Sequence, residues 1–234
     1  MALGFAGLAV MGVGIGGSAG GWDLDGVTPF LVVGAVLLAL AVLYPQIESL
    51  NVEAAGAKVG LLLRRIASDS SPAVLEELER LGVADLAVAY EFVHDALSDE
   101  EDKNTRIRLQ DQLVDMAEQR AFDRDPDKKL LNAAIESHSA AGRAIAIGFA
   151  KRHPELVTLD AMETVILHSM SGNEQYHALL LAKKVLPTLK SKEAQALMNL
   201  INEAKDEPYV RKDSERMNVV DAINREFAPR HLQA

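Results

Sequence analysis

Residues 29–44 read PFLVVGAVLLALAVLY, an uninterrupted apolar run rich in leucine and valine. This run lies within residues 26–47, which contain no charged side chain. A helix needs roughly 20 apolar residues to cross a bilayer, because the hydrocarbon core is about 30 Å thick. Tyr44 stands where an aromatic side chain would lie at the membrane interface, and Pro45 ends the run. The stretch therefore predicts a transmembrane helix.

A second uncharged stretch, residues 1–22, precedes this run and is rich in glycine. Glycine weakens a helix in water, but in lipid the backbone has to satisfy its hydrogen bonds internally, which favours a helix. Trp22 would then lie at the other interface, and residues 1–47 would form a two-pass transmembrane hairpin. A cleaved signal peptide is the main alternative, disfavoured by the missing basic N-terminal region and by the second span. A buried hairpin in a soluble protein is the other alternative.

The distribution of basic residues predicts the orientation of this hairpin. The connecting residues 23–28 contain none, whereas Lys58, Arg64 and Arg65 follow the second span. Cytoplasmic loops carry an excess of lysine and arginine, so both termini are expected in the cytoplasm, with the hairpin in the plasma (inner) membrane. Arg64 and Arg65 would join Trp22 and Tyr44 at the membrane interface.

The glycines of the first span are spaced for close helix packing. Small residues four positions apart place a flat face on a helix, which allows another transmembrane helix to approach closely. The partner of this face is either the second span of the same chain or another copy of the chain, giving a homo-oligomer and, in the extreme case, a pore. The face comprises Gly12, Gly16, Gly17, Gly20 and Gly21.

Residues 48–71 form a juxtamembrane linker between the hairpin and the rest of the chain. Its pattern leaves two structures open, a short extended hairpin turning near Gly56 and a surface-bound amphipathic helix anchored by Arg64 and Arg65. The stretch from Ser68 to Pro72 has the composition of a flexible joint, which places a domain boundary there. Residues 72–234 would form a separate cytoplasmic domain.

Charge and composition exclude several kinds of site. All 24 basic residues and 30 of the 34 acidic residues lie at or beyond Lys58, giving that part of the chain a net charge of −6. This sign disfavours nucleic acid as a partner. The sequence has no cysteine, which excludes disulfides, thiolate metal sites and cysteine nucleophiles.

Residues 72–234 carry dense signals for helix starts and ends. The expected starts are Pro72 after the cap Ser71, a capping box from Ser98 to Glu101, and Asp125 before Pro126. Further caps are expected at Thr158, Asn173 and Ser191, and helix ends near Gly82, Pro154 and Pro208. Apolar residues recur at helical spacing between these signals, which predicts about eight helices.

Three helical pairs recur at a spacing of roughly 32 residues, in residues 126–153, 159–189 and 191–227. Leucine- and alanine-rich stripes, such as residues 177–182 (HALLLA), and Pro187 inside a repeat accompany this spacing. The segment resembles a short α-solenoid of the HEAT or armadillo-like kind. That resemblance implies an all-α domain of stacked helical pairs. An irregular helical bundle is the alternative, and residues 73–121 fit the repeat less well.

Three polar constellations are candidate functional sites. Two Glu-x-x-His pairs, Glu91 with His94 and Glu174 with His177, have the spacing found in carboxylate-bridged di-iron bundles, although two pairs are only a small excess over chance. The Ser137-His138-Ser139 run has no legible triad spacing. A set of basic residues could line one face and bind an acidic partner: Arg143, Lys151, Arg152, Lys183, Lys184, Lys190 and Lys192.

The sequence thus predicts an all-α chain in which a transmembrane hairpin carries a helical domain. The expected function is that of a non-enzymatic interaction or scaffold protein, self-associating through the glycine face, with no cofactor, no metal and no catalytic residues. Its expected partners are the lipid bilayer, further copies of itself and an unidentified protein. The alternative is an oligomeric membrane effector or pore-forming protein gated by its cytoplasmic domain.

Overall fold

The computed structural model of the chain describes residues 72–231, and this part is entirely helical. The all-α prediction is therefore confirmed for these residues. Within them, four short 3-10 helices accompany ten α-helices, whose bounds are α1 Pro72–Arg80, α2 Ala84–Ala96, α3 Lys103–Arg120, α4 Lys128–Ile135, α5 Ala140–Ala150, α6 Leu159–Leu167, α7 Gly172–Val185, α8 Ser191–Asp206, α9 Pro208–Arg211 and α10 Ser214–His231.

Some helix ends lie where the sequence signals place them. Gly82 follows α1 with a φ of 70°, a left-handed conformation that glycine adopts without a Cβ clash. Thr158 caps α6, since its hydroxyl accepts a hydrogen bond from the backbone N–H of Ala161. Pro208 lies at the start of the short helix α9, directly after α8 ends at Asp206.

Other predicted caps are wrong by one or two residues. The chain caps α4 with Asp127 instead of Asp125, α7 with Ser171 instead of Asn173, and α8 with Lys190 instead of Ser191. The expected capping box at Ser98 does not form, because Asp99 precedes a 3-10 helix at Glu100–Asp102 and makes no side-chain cap. Several adjacent residues can cap a helix, and tertiary packing selects among them.

Eight of the helices pack in two layers of four, and each helix of the first layer pairs with one helix of the second. In the first layer α1 packs on α4, α4 on α6 and α6 on α8, while in the second α2 packs on α5, α5 on α7 and α7 on α10. Within the pairs, α1 contacts α2, α4 contacts α5, α6 contacts α7 and α8 contacts α10. The last three pairs correspond to the segments predicted from the repeat spacing.

Helix α3 lies outside this pairing and packs on the second layer, against α2, α5 and α7. Its closest approach is to α5 at Gly148, where an added Cβ would clash with the carbonyl oxygen of Val114 and lie 2.9 Å from Val114 Cγ1. Glycine at this position lets the two backbones meet. Fully buried side chains, including Leu109, Leu113 and Phe149, fill the space around this crossing.

The predicted apolar stripes largely form the core. Val165 and Ile166 of α6, Leu197 and Ile201 of α8, and Ile223 of α10 are completely buried. Met170 is an exception: it follows the end of α6 and is 51% exposed.

The predicted transmembrane hairpin and linker lie outside the described residues, as do the proposed packing glycines and the interface residues Trp22, Tyr44, Arg64 and Arg65. Among the helices of residues 72–231, none combines the length and the apolar character that a membrane span requires.

Candidate binding cavity

A cavity of about 400 Å³ opens between α2, the first half of α3, and the starts of α7 and α10. Small-molecule sites in proteins have volumes of roughly 300–1,000 Å³, so this cavity has the size of a ligand site. Apolar contact surface comes from Ile107, Met170 and Tyr176, and the remaining lining residues are mainly polar or charged. The cavity is the candidate functional site of the described residues.

Residues from the first turns of four helices line the cavity. Lys103 of α3, Ala140 of α5, Gly172 of α7 and Glu215 of α10 all lie in first turns and all line it. Each helix carries roughly half a positive charge at its N-terminus, because its first N–H groups have no intrahelical acceptor. This applies least to α3, because it continues from a 3-10 helix and the N–H of Lys103 donates to the carbonyl of Glu100.

The start of α7 presents free backbone donors at the cavity. Ser171 Oγ accepts the N–H of Glu174 at 3.1 Å, and the carbonyl of Ser171 accepts the N–H of Gln175. The N–H groups of Gly172 and Asn173, which lie between Ser171 and Glu174 in the sequence, donate to no described residue.

The charged side chains of the lining are of both signs. Three cations, Lys103, Arg106 and Arg216, face four carboxylates, Glu91, Asp111, Asp213 and Glu215. Asp213 has a protein partner: its Oδ1 accepts the backbone N–H of Arg216 at 3.0 Å, and its Oδ2 lies 3.1 Å from the guanidinium. Burial works to raise the pKa of Asp213, but these contacts with Arg216 lower it overall.

Three lining side chains have polar groups without a partner among the described residues: Arg216, whose buried Nε makes no hydrogen bond, Gln110 and Arg106. Gln110 has a relative exposure of 4%, its amide is not among the buried unsatisfied groups, and it makes no hydrogen bond with any described residue. Arg106, one helical turn earlier, donates one N–H to the carbonyl of Leu97 and forms no ion pair among the described residues. Both side chains therefore retain hydrogen-bonding capacity at the cavity.

A chain of hydrogen bonds lies beside the cavity and joins α2, α3, α5 and α7. Tyr90 Oη donates to Asn173 Oδ1 at 2.9 Å, and Asn173 Nδ2 donates to Asp111 Oδ1 at 2.6 Å. His177 Nε2 lies 2.9 Å from the same carboxylate oxygen, and His177 Nδ1 lies 2.9 Å from Lys151 Nζ. Since the carboxylate can only accept, His177 donates through Nε2–H and accepts from Lys151 at Nδ1.

Burial shifts the pKa values of three groups in this chain of hydrogen bonds. It raises the pKa of the Tyr90 hydroxyl far above its ordinary value. It lowers the pKa of His177, although the hydrogen bond that His177 donates to Asp111 acts in the opposite direction, and it also lowers the pKa of Lys151. The imidazole is therefore neutral at pH 7, in agreement with its role as an acceptor for Lys151.

A buried ion pair connects α5 and α7 on the same side of the molecule. Arg143 Nη2 lies 2.6 Å from Glu174 Oε1, and the two side chains are 5% and 1% exposed. The same nitrogen donates to the carbonyls of Thr164 and His168, while Glu174 Oε2 accepts the N–H of Met170 at 2.9 Å. Burial raises the pKa of Glu174 to about 7, against the lowering effect of Arg143.

Acidification is expected to destabilise the domain through His177. Its folded pKa is below the ordinary 6.5, so the unfolded chain binds more protons, and stability falls as the pH drops below about 6.5. Glu174 has the opposite effect, because its raised pKa favours the folded state at low pH. The test compares urea unfolding of the native chain and His177→Gln at pH 7.5 and 5.5. The native chain should lose more stability; equal losses would contradict the assignment.

The two Glu-x-x-His pairs are not brought together. Glu174 pairs with Arg143, and His177 lies between Lys151 and Asp111. Glu91 and His94 instead line the cavity. Within residues 72–231 no three histidine or carboxylate side chains are arranged to hold a metal ion.

The predicted basic face does not include Arg143 or Lys151. Arg143 and Lys151 are buried, and each has carboxylate or carbonyl partners inside the domain. Lys184 is exposed and pairs with Glu118 at 2.6 Å. In the serine–histidine run, Ser139 caps α5 by accepting the N–H of Gly142, and His138 is exposed.

Sequence reasoning did not identify the cavity residues Gln110 and Arg106. They lie in α3, a strongly polar helix without a clear apolar stripe, so no local signal distinguishes them from surface residues. Arg143 did carry a signal, because it is the only charged residue in the otherwise apolar stretch of residues 140–150. A lone charge in such a stretch indicates a buried, paired group.

No protein-family model matches this chain, and neither a curated protein nor a solved structure matches it. A fold by itself would not assign a function in any case, because unrelated functions occur on the same fold.

Proposed function

We propose that this chain is a non-enzymatic interaction protein, tethered to the membrane by residues 1–47 and carrying a helical domain of the α-solenoid kind. The observation that carries the proposal is the two-layer stack of four helical pairs in residues 72–231. Stacked pairs of this kind build extended surfaces, which solenoid proteins use to bind other proteins.

The outer side of the last pair supports the assignment to a solenoid. Terminal repeats need a polar outer face, because no further repeat covers them. Helix α8 fits this requirement, since its exposed residues are all polar: Ser191, Lys192, Glu193, Gln195, Asn199, Asn202, Glu203 and Asp206.

In this proposal the helical domain lies on the cytoplasmic side of the plasma (inner) membrane, where it binds a protein partner. The uncharged stretches of residues 1–22 and 26–47 and the basic residues after them support this location. The acidic balance of the chain supports a protein partner over nucleic acid, because phosphate backbones attract basic surfaces.

Self-association through the first span is tested by Gly16→Leu. A leucine in the glycine face would separate the helices, so the oligomer should dissociate in detergent or nanodiscs. Light scattering coupled to size-exclusion chromatography measures the mass. Gly4→Leu is the matched control, because the residue four positions later is Leu8 and no small-residue pair is lost. An unchanged oligomer in Gly16→Leu, or a native chain that is monomeric, would contradict self-association.

A second candidate function is an oligomeric membrane effector or pore whose opening the helical domain controls. The observation that favours it is the cavity, since a ligand between α2, α3 and the starts of α7 and α10 would contact several helices at once. This function predicts dye leakage from vesicles that contain the protein. Tight vesicles at high protein density would count against it.

A further inference from the structure

The two ring nitrogens of His177 hold two neighbouring helices. Nε2–H donates to Asp111 Oδ1 on α3, and Nδ1 accepts from Lys151 Nζ on α5, both at 2.9 Å. The side chains of His177 and Lys151 are 3% and 4% exposed, so water has little access to the contact between them. The arrangement requires an uncharged imidazole, because only the neutral ring has a nitrogen that accepts a hydrogen bond.

Protonation of His177 would convert its contact with Lys151 into a repulsion. Both nitrogens of an imidazolium are donors, so Nδ1–H and the ammonium of Lys151 would face each other as two cations inside the domain. The contact with Asp111 would instead become an ion pair, which is stronger than a hydrogen bond from a neutral ring. Protonation therefore releases Lys151 and retains Asp111.

A second acceptor for Lys151 lies close by on α3. Lys151 Nζ is 3.9 Å from Asp115 Oδ1 and 3.9 Å from Glu118 Oε2, beyond hydrogen-bonding distance. Glu118 already pairs with Lys184 at 2.6 Å, whereas the Asp115 side chain makes no other ion pair or hydrogen bond with the described residues. A small movement of the ammonium would thus exchange His177 for Asp115.

The charged groups that face His177 and Lys151 come from α3, α5 and α7. On α7, Glu174 lies one turn before His177 and is paired with Arg143 of α5. Helices α6 and α10 also pack on α7, but within residues 72–231 their charged side chains form no hydrogen bond or ion pair with His177 or Lys151. The exchange therefore involves only α3, α5 and α7.

The surroundings of His177 keep the ring neutral at pH 7. Burial lowers its pKa below the ordinary 6.5, and the charge of Lys151 lowers the pKa further. Asp111 and Asp115 act in the opposite direction without cancelling these effects. The ring therefore takes up its second proton only in acid.

We propose that His177 and Lys151 form a pH-sensitive switch between two helices. At neutral pH Lys151 binds His177 and joins α5 to α7. In acid the His177 imidazolium binds Asp111, and Lys151 binds Asp115 on α3. Because Asp111 lines the cavity and also accepts from Asn173, the exchange takes place at the cavity wall. The switch goes beyond the proposed function and does not depend on the protein partner or on the membrane hairpin.

Magic-angle-spinning NMR of the full chain in phosphatidylcholine vesicles tests the switch. The labels are lysine Nζ, aspartate Cγ and the histidine ring, and signals are assigned by their loss in Lys151→Met and Asp115→Asn. At pH 7.5 His177 should carry its proton on Nε2 and show a correlation from Nδ1 to Lys151 Nζ. As the pH falls to 4, the second ring proton should appear together with a Lys151 Nζ to Asp115 Cγ correlation.

Three variants separate the switch from a general response to acid. His177→Gln has no ring to protonate, so its Lys151–Asp115 correlation should not change with pH. Lys151→Met removes the opposing cation, so His177 should take up its proton at a higher pH than in the native chain. His153→Gln is the matched control and should respond like the native chain, because His153 lies 3.1 Å from the carbonyl oxygen of Ala121 and contacts neither Lys151 nor Asp115.

The decisive outcomes come from the native chain and do not depend on the folding of any variant. A His177 ring protonated at Nδ1 at pH 7.5, or a ring that stays neutral at pH 4, would overturn the proposal. Ring protonation without growth of the Lys151–Asp115 correlation would do the same, as would unfolding of the chain before the ring takes up its proton.

Discussion

Replacing either Arg143 or Glu174 with alanine should lower the free energy of unfolding by about 3–5 kcal/mol, because it leaves the other side chain buried without its ion-pair partner. The side chains are 5% and 1% exposed, so water cannot replace the lost contact. Domains are stable by only about 5–15 kcal/mol, so either variant would lose a large part of the fold's stability. Urea unfolding of the full chain in detergent, followed by circular dichroism, measures the change.

Two controls make this prediction specific. The double variant Arg143→Met with Glu174→Leu removes both charges and should cost much less than either single change, because no uncompensated charge remains. The exposed pair Lys205–Asp221, with an N–O distance of 3.1 Å, provides the surface comparison, and Asp221→Ala should cost at most about 1 kcal/mol. Single variants at Arg143 and Glu174 that behave like Asp221→Ala would contradict a buried ion pair.

Gly148→Ala should destabilise the domain by about 1–3 kcal/mol, the range found for overpacked cores. In an open helix the same change stabilises by about 0.5–1 kcal/mol, so the expected sign is reversed. The reason is the crossing of α3 and α5, where the new methyl group would clash with the carbonyl oxygen of Val114 and lie 3.2 Å from Ala117 Cβ. A backbone atom cannot move aside as a flexible side chain can.

Gly172→Ala is the matched control for this substitution. Gly172 is also helical, but the nearest atoms to its added Cβ belong to the Arg216 guanidinium, 3.5 Å away at ordinary van der Waals distance. Urea unfolding should therefore show a neutral or slightly stabilising effect at Gly172 and a clear loss at Gly148. Equal effects at both positions would show that α3 and α5 do not cross closely at Gly148.

The sequence predicts the helical pairs well because their signals are local. The predicted pairs in residues 126–153, 159–189 and 191–227 correspond to α4 with α5, α6 with α7, and α8 with α10. Apolar stripes define these helices, and turn residues separate them. The exact caps differ by one or two residues, since neighbouring polar residues compete for the same role.

The polar sites could not be predicted because their members are distant in the chain. Asn173 and Asp111 are 62 positions apart, and His177 and Lys151 are 26 apart. Helix α3 brings Asp111 to α7. The sequence does not predict its packing on the second layer, because residues 73–121 do not follow the repeat spacing. Once α3 is in place, the cavity and the hydrogen-bond chain follow from its polar face.

The central claim is that residues 1–47 hold the helical domain at the cytoplasmic face of a membrane. The chain has no cysteine, so single cysteines at Asp25, in the predicted outer loop, and at the exposed Lys192 of α8 can be labelled without background. A membrane-impermeant maleimide applied to intact cells should label Asp25→Cys, and it should label Lys192→Cys only after lysis. Both variants should remain in the membrane fraction after carbonate extraction. Extraction of the chain by carbonate, or labelling of Lys192→Cys in intact cells, would contradict the claim.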